Sequence, residues 1–211
     1  MKYRIDNNDY EVVIIRKNNK NSYIRVKSDL KIYVTTHFLL TKRQVKDLLE
    51  RNHATLQTMV IKNRKNLEKD KKFYFLGKIY DIIIVPTYSK IEMDSSRIYV
   101  KNETELNKWL RKEIEKIFTD RLNYIYDLFE EKIPYPKLRI RKMTTRWGVC
   151  NRKLEIITLN ANLIRERIEC LDYVIVHELV HFIHFDHSKN FWLTVSKYCP
   201  KYKEFRKELR E

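Results

Sequence analysis

From Leu171 to His181 the chain is apolar or aromatic except at Asp172, His177, Glu178 and His181, and this stretch restricts the fold more than any other. Leu171, Tyr173, Val174, Ile175 and Val176 suit a helix buried inside the molecule. Burying imidazoles and a carboxylate there costs free energy unless they converge on a partner. Residues four apart share one helical face, so His177 and His181 aim both rings at one point. Glu178 lies one residue round, within reach of a water held at that point but poorly aimed to bind an ion itself. His177-Glu178-Leu179-Val180-His181 therefore reads as the H-E-x-x-H helix of zinc hydrolases, two nitrogen donors beside a carboxylate base. The competing reading is a core helix whose histidines are satisfied by backbone or carboxylate partners.

A third donor is required, and the sequence offers His184 and His187. The ion should lie level with residue 179, and on a straight helix His184 would be about 7.5 Å further along. His187 is better placed if the helix ends near Phe185-Asp186, where Asp tolerates a left-handed turn. Zinc is thus assigned to His177, His181 and His187 with water as the fourth ligand, and His184 to a capping or supporting role. Three neutral imidazoles leave the ion its full charge, which brings the pKa of its water towards neutrality. Glu178 would take that proton and return it to the leaving group. A peptide carbonyl is the obvious electrophile; the residues also admit a phosphoryl or another acyl group.

The 211 residues carry 44 Lys and Arg against 28 Asp and Glu, a formal charge of +16. Such an excess favours anionic partners such as nucleic acid, nucleotides or acidic peptides. Compositional drift of an AT-rich genome explains the same bias, since Lys, Asn, Ile and Tyr abound and there are only two glycines. Cys150, Cys170 and Cys199 form no C-x-x-C pair and no disulfide framework, which points to a reducing cytoplasm. Met1 to Tyr10 is polar, unlike a secretory signal, and no apolar run reaches the roughly eighteen residues of a membrane span.

The predicted fold class is α+β, a β-rich N-terminal half followed by a mostly helical, zincin-like catalytic half with a small sheet. The expected division is 1–102, β-rich with a helical insert, and 103–211, the metallohydrolase domain. Tyr10–Ile15, Tyr23–Val26 and Ile32–Val34 read as a strand meander. Thr41 with Gln44 forms a capping box opening one helical stretch to about Leu67. Phe73–Leu76 and Ile79–Val85 flank Gly77-Lys78 as a hairpin, and Arg97–Val100 adds a strand. Leu106, Trp109, Leu110, Ile114, Ile117, Phe118, Leu122, Ile125 and Phe129 stripe an amphipathic helix from about Thr104 to Glu131, ended by Pro134 and Pro136.

Lys137-Leu138-Arg139-Ile140-Arg141 alternates as a strand with one wet basic face. From Ile133 to Leu154 there are seven basic residues and no acidic one. Usually such a run is a solvated face. Beside a metal helix it also suits a substrate groove, an edge strand pairing with an extended peptide, or a phosphate clamp of Arg139, Arg141, Arg146 and Arg152.

Thr145-Arg146-Trp147-Gly148-Val149-Cys150, Ile157-Thr158-Leu159-Asn160, Asp172-Tyr173-Val174 leading into the histidine motif, and Asp186-His187-Ser188-Lys189-Asn190-Phe191-Trp192 together resemble the YgjP-like metallopeptidase-fold family. Phe75-Leu76-Gly77-Lys78 extends the likeness towards the N-terminus. The resemblance implies metal ligands at His177, His181 and His187 and a catalytic carboxylate at Glu178. It also implies an alternative activity, because the family has been linked to hydrolysis of uridine triphosphate. Val149 stands where Ser is common and Asp186 where Asn is common. The metzincins share the ligand spacing, but they require Gly in place of His184 and a methionine beyond the third ligand, and the last methionine here is Met143.

The leading expectation is therefore a zinc-dependent metallohydrolase of the peptidase type. The alternatives are a metal-dependent UTP pyrophosphatase and a basic nucleic-acid-binding module with a structural metal. Trp147 reads as a wall of the core and Cys150 as a small packed hydrophobe. Arg146 suits either an oxyanion contact or a structural ion pair, and Asp172 a cap or ion pair.

Overall fold

Alternating buried and exposed side chains build the first sheet of the structure, a computed structural model that describes residues 1–210. The architecture is mixed α+β, and the chain falls into two units, Met1–Lys72 and the part from Phe73 onward.

In the first unit, strands β1 (Lys2–Ile5) and β2 (Asn8–Lys17) form a hairpin with Ile5 opposite Asn8. Its turn uses Asp6 at φ 53, a left-handed conformation that Asp tolerates. The polar spelling of residues 1–10 gave no strand signal, so β1 was not expected. Strands β3 (Tyr23–Val26) and β4 (Ile32–His37) complete the sheet in the order β1-β2-β4-β3. The expected meander is not formed: β4 lies between β2 and β3, parallel to β2 and antiparallel to β3. Ile32 and Val34 are fully buried, as a central strand requires, whereas Tyr23 on outer β3 is half exposed.

The Thr41 capping box forms: the Gln44 amide donates to Thr41 Oγ1 at 3.3 Å and the Thr41 amide to Gln44 Oε1 at 2.9 Å. It opens α1 (Lys42–Arg51), but the single helical stretch is two helices, the second being α2 (His53–Asp70). Asn52 breaks it, turning its own side-chain amide onto the Leu48 carbonyl at 2.8 Å. Val45, Leu49, Leu56 and Val60 bury themselves with Ile32 and Val34 in a core separate from that of the second unit.

The second unit opens with the predicted hairpin, β5 (Phe73–Phe75) and β6 (Lys78–Ile84), turning through Leu76 at φ 49 and Gly77 at φ 80. Short β7 (Glu92–Met93) and β8 (Arg97–Val100) give the order β5-β6-β8-β7. Helix α3 (Glu103–Asp127) follows, capped by Asn102. A second sheet, β9 (Lys137–Arg141), β10 (Gly148–Asn151) and β11 (Ile156–Asn160), has β11 at its centre, parallel to β9 and antiparallel to β10. After a 3-10 turn, Ala161–Arg165, come α4 (Ile168–Val180), α5 (Lys189–Tyr198) and α6 (Tyr202–Glu208).

The boundary thus lies after Lys72, where the sequence reading placed it after residue 102. The reason is core membership: Phe75, Tyr80, Ile98 and Val100 are buried with Phe118, Leu122, Ile157, Leu171 and Ile175. Helix α4 is buried nearly all round, as its apolar spelling demands. Arg121 of α3 ties to it through two 2.7 Å bonds to Asp172, the ion-pair role expected of that residue. Among the described residues no helix is long and apolar enough to cross a membrane, and all three cysteines are free thiols.

Candidate metal centre

Helix α4 ends one turn earlier than Phe185-Asp186, at Val180, with His181 as its C-cap. The chain does not reverse through a left-handed Asp186; among the described residues only Asp6, Leu30, Leu76, Gly77 and Glu155 have positive φ. Instead the last turn tightens, with the amides of Phe182, Ile183 and His184 bonded to the carbonyls of Leu179, Val180 and Val180 at 2.9–3.0 Å. His181 Nδ1 then meets the His184 carbonyl at 3.1 Å, so the ring is oriented by the turn that follows it. Asp186 accepts from the Ser188 amide, and Ser188 caps α5 by accepting from the Phe191 amide at 3.4 Å. This path brings His187 back over α4.

His177, His181 and His187 come together, each with a donor atom within 4.8 Å of the others. Their ring centroids are pairwise 5.0 Å apart, and the Nε2 atoms of His177 and His187 are 3.1 Å apart. Phe191, fully buried, is the common packing surface of the three rings, with centroids 4.9, 4.7 and 4.8 Å away. His184 is not in the cluster; its Nε2 meets Thr194 Oγ1 at 3.1 Å. Burial, followed by the neighbouring charges of His181, His187 and Arg206, drives the His177 imidazolium down to about 3, so the ring is neutral. Burial also lowers His181. Nδ1 of His177 is buried with no hydrogen-bond partner.

Glu178 is 4 % exposed. Burial pushes its carboxyl up to about 8, while a hydrogen bond from the Cys150 backbone and the charge of Arg146 act the other way. Gly148 makes room for it: a Cβ at that position would fall 2.4 Å from Glu178 Oε1 and 2.8 Å from its Cγ. The backbone of β10 thus approaches the carboxylate closely at this residue, which only a glycine permits.

Buried Asn160 positions the loop before β10, donating to the carbonyls of Met143 and Arg146 at 2.8 and 2.9 Å and accepting from the Met143 amide at 3.2 Å. The Asn160 amide bonds to the Trp147 carbonyl, so by strand alternation Gly148 and Cys150 turn their backbone groups to the free edge of β10. Cys150 itself packs half-buried, and burial raises its thiol to about 12, which leaves it unreactive. Trp147 is half-buried against the core, its indole N–H on the Leu209 carbonyl at 2.8 Å.

Two clefts flank the triad, of about 440 and 460 Å³, and both include Arg146, Gly148, His177, Glu178 and His187. The first also meets Arg152, Val149 and the strongly exposed ring of Phe185. The four-arginine clamp does not assemble. Arg139 and Arg141 face solvent on β9, across β11 from the strand beside the triad, and only Arg146 and Arg152 line a cleft. The sequence reading missed Arg206, which lines the second cleft over the ring of Trp192 at 4.5 Å. A lone arginine in a lysine-rich C-terminal helix carries no motif that could have singled it out.

A family model described as the YgjP-like metallopeptidase domain matches residues 20–211. Among solved structures, the metallopeptidase zymogen abylysin of Pyrococcus abyssi is 28 % identical, over 44 % of this chain and 90 % of that one, with a TM-score of 0.40. The zymogen jannalysin of Methanocaldococcus jannaschii is 23 % identical, over 46 % and 92 %, with a TM-score of 0.35. The chain matches no curated protein.

Proposed function

The chain belongs to the YgjP-like metallopeptidase family, and on that premise we propose that it is a zinc-dependent peptidase with a zincin-like catalytic unit. In this reading His177, His181 and His187 hold the ion and Glu178 moves the proton. The observation that carries it is the convergence of three imidazoles within 4.8 Å beside a buried carboxylate in an open cleft.

The donor set fits a metal. Two Nε2 atoms 3.1 Å apart can share only one proton, so the pair leaves lone pairs facing one another. A cation drawing on one lone pair from each ring relieves that crowding. Neutral imidazoles favour a borderline transition ion such as zinc over magnesium or calcium, and zinc brings no redox chemistry. A structural zinc site takes four protein donors, whereas the cluster supplies three and opens on a cleft, which favours catalysis over a nucleic-acid module with a structural ion.

Bound there, the ion would supply Lewis acidity to the scissile carbonyl and to water. Glu178 takes the proton of the attacking water on its carboxylate. It then passes that proton to the leaving nitrogen as the C–N bond breaks. The Cys150 amide fixes the carboxylate, and Gly148 keeps the approach open. The free edge of β10 offers the Gly148 backbone and the Cys150 carbonyl to an extended peptide. Gly148→Ala is expected to push Glu178 out of line and lower kcat by about tenfold or more with bound zinc unchanged, as steady-state kinetics beside metal analysis would register.

The test is zinc-loaded protein offered a peptide library and a nucleoside-triphosphate panel. Peptide cleavage is expected. Triphosphate hydrolysis without peptide cleavage, or salt-sensitive nucleic-acid binding without hydrolysis of either, overturns the reading.

A further inference from the structure

The second cleft is cationic for a reason the peptidase chemistry alone does not require. Its lining brings together Arg146, Arg206 and Arg210 with Trp147 and Trp192, and among the described residues its one carboxylate is the buried Glu178. Arg206 is half-buried on α6 and pairs with no carboxylate among the described residues. The acidic neighbours on its own helix are committed elsewhere: Glu204 and Glu208 both bond to Arg167, at 3.3 and 2.6 Å. Among the described residues Arg146 likewise has no ion-pair partner, and it lines the cleft from the loop that Asn160 holds. Both guanidinium groups line the cleft together with His177 and Glu178, beside the reaction centre.

Desolvating a guanidinium without a partner costs free energy, and Arg is favoured where a planar anion is to be gripped bidentately. The aromatic residues restrict which anion. Trp192 is already covered, stacked on Tyr202 at 5.2 Å, near-parallel to His187 at 5.7 Å and topped by Arg206. The indole N–H of Trp147 is spent on Leu209. The ring of Trp192 is thus closed to a stacking nucleobase, and the cleft presents guanidinium groups to an anion.

We propose that the cleft between Arg146 and Arg206 is a subsite for a carboxylate of the peptide substrate, either an acidic side chain beside the scissile bond or the chain-terminal carboxylate; this rests on the peptidase reading. Trp192 holds Arg206 in place, and Arg206 sets specificity by binding the substrate's anionic group.

The experiment uses the full zinc-loaded chain and four matched peptide series, with Glu or Gln scanned on both sides of one bond, each as free acid and amide. A preference for Glu over Gln at one position, of about 10- to 100-fold in kcat/KM, identifies a side-chain carboxylate; a similar preference for free acid over amide identifies the terminal one. Arg206→Gln should abolish the preference and Arg206→Glu should reverse it towards the uncharged member of the pair. The substrate comparison on the unmodified chain decides the matter even if neither variant folds. Equal cleavage of all four series overturns the subsite and leaves the peptidase reading standing. A preference undiminished in both variants overturns its assignment to this cleft. Triphosphate hydrolysis with no peptide cleaved sinks the peptidase reading and the subsite together.

Discussion

Glu178→Gln is expected to lower peptide cleavage by about 10²- to 10⁴-fold while the protein keeps its metal. Gln preserves the shape of a side chain that fits against Gly148 with no space to spare, and it removes only the ability to accept and return a proton. Glu178 is not among the clustered donors, so metal content should be unchanged. The measurement is kcat beside elemental analysis of the same preparation. Activity within tenfold of the parent would remove Glu178 from the proton path; loss of metal with activity would make it a ligand.

The second large effect concerns the pH dependence of stability in metal-free protein. Burial raises Glu178 to about 8 from an ordinary 4.5, so its contribution is full below pH 4.5 and is lost as pH climbs through 8. Burial lowers His177 to about 3 from 6.5, so its contribution is present above pH 6.5 and is lost as pH falls towards 3. Between 4.5 and 6.5 the histidine and glutamate slopes oppose, with His181, also lowered by burial, adding to the histidine side. Above 6.5 only the glutamate slope remains, about 1.4 kcal/mol per pH unit, or about 2 kcal/mol by pH 8. Denaturant midpoints of chelator-treated protein should therefore drop from pH 6.5 to 8. Glu178→Gln should flatten that limb, and zinc should flatten it too, because a nearby cation favours the carboxylate. A parent and variant with the same alkaline slope would contradict the burial of an ionisable group at this position.

The triad was legible in the sequence because helical spacing is rigid: His177 and His181 must share a face wherever the helix goes. The third member was legible only as a choice between His184 and His187, and the route back was misread. Asp186 has the chemistry for a left-handed turn, yet the helix stops earlier by tightening its last turn around the His184 carbonyl. Long-range pairing was the least visible feature. Ile32–Val34 spells a strand, but nothing local says that it enters between β2 and β3. Likewise the hairpin at Leu76-Gly77 was written in its turn residues, while its membership of the catalytic core depends on contacts with residues far along the chain. Arg146 and Arg152 could not be separated from Arg139 and Arg141 by composition; the interposition of β11 separates them.

The most direct measurement is zinc stoichiometry by equilibrium dialysis on the parent chain and on single alanine variants of the four histidines between positions 177 and 187. One tightly held zinc per parent chain is predicted, lost in His177→Ala, His181→Ala and His187→Ala and kept in His184→Ala. Undiminished zinc in His187→Ala, or its loss in His184→Ala, would contradict the three-imidazole site on which the account is built.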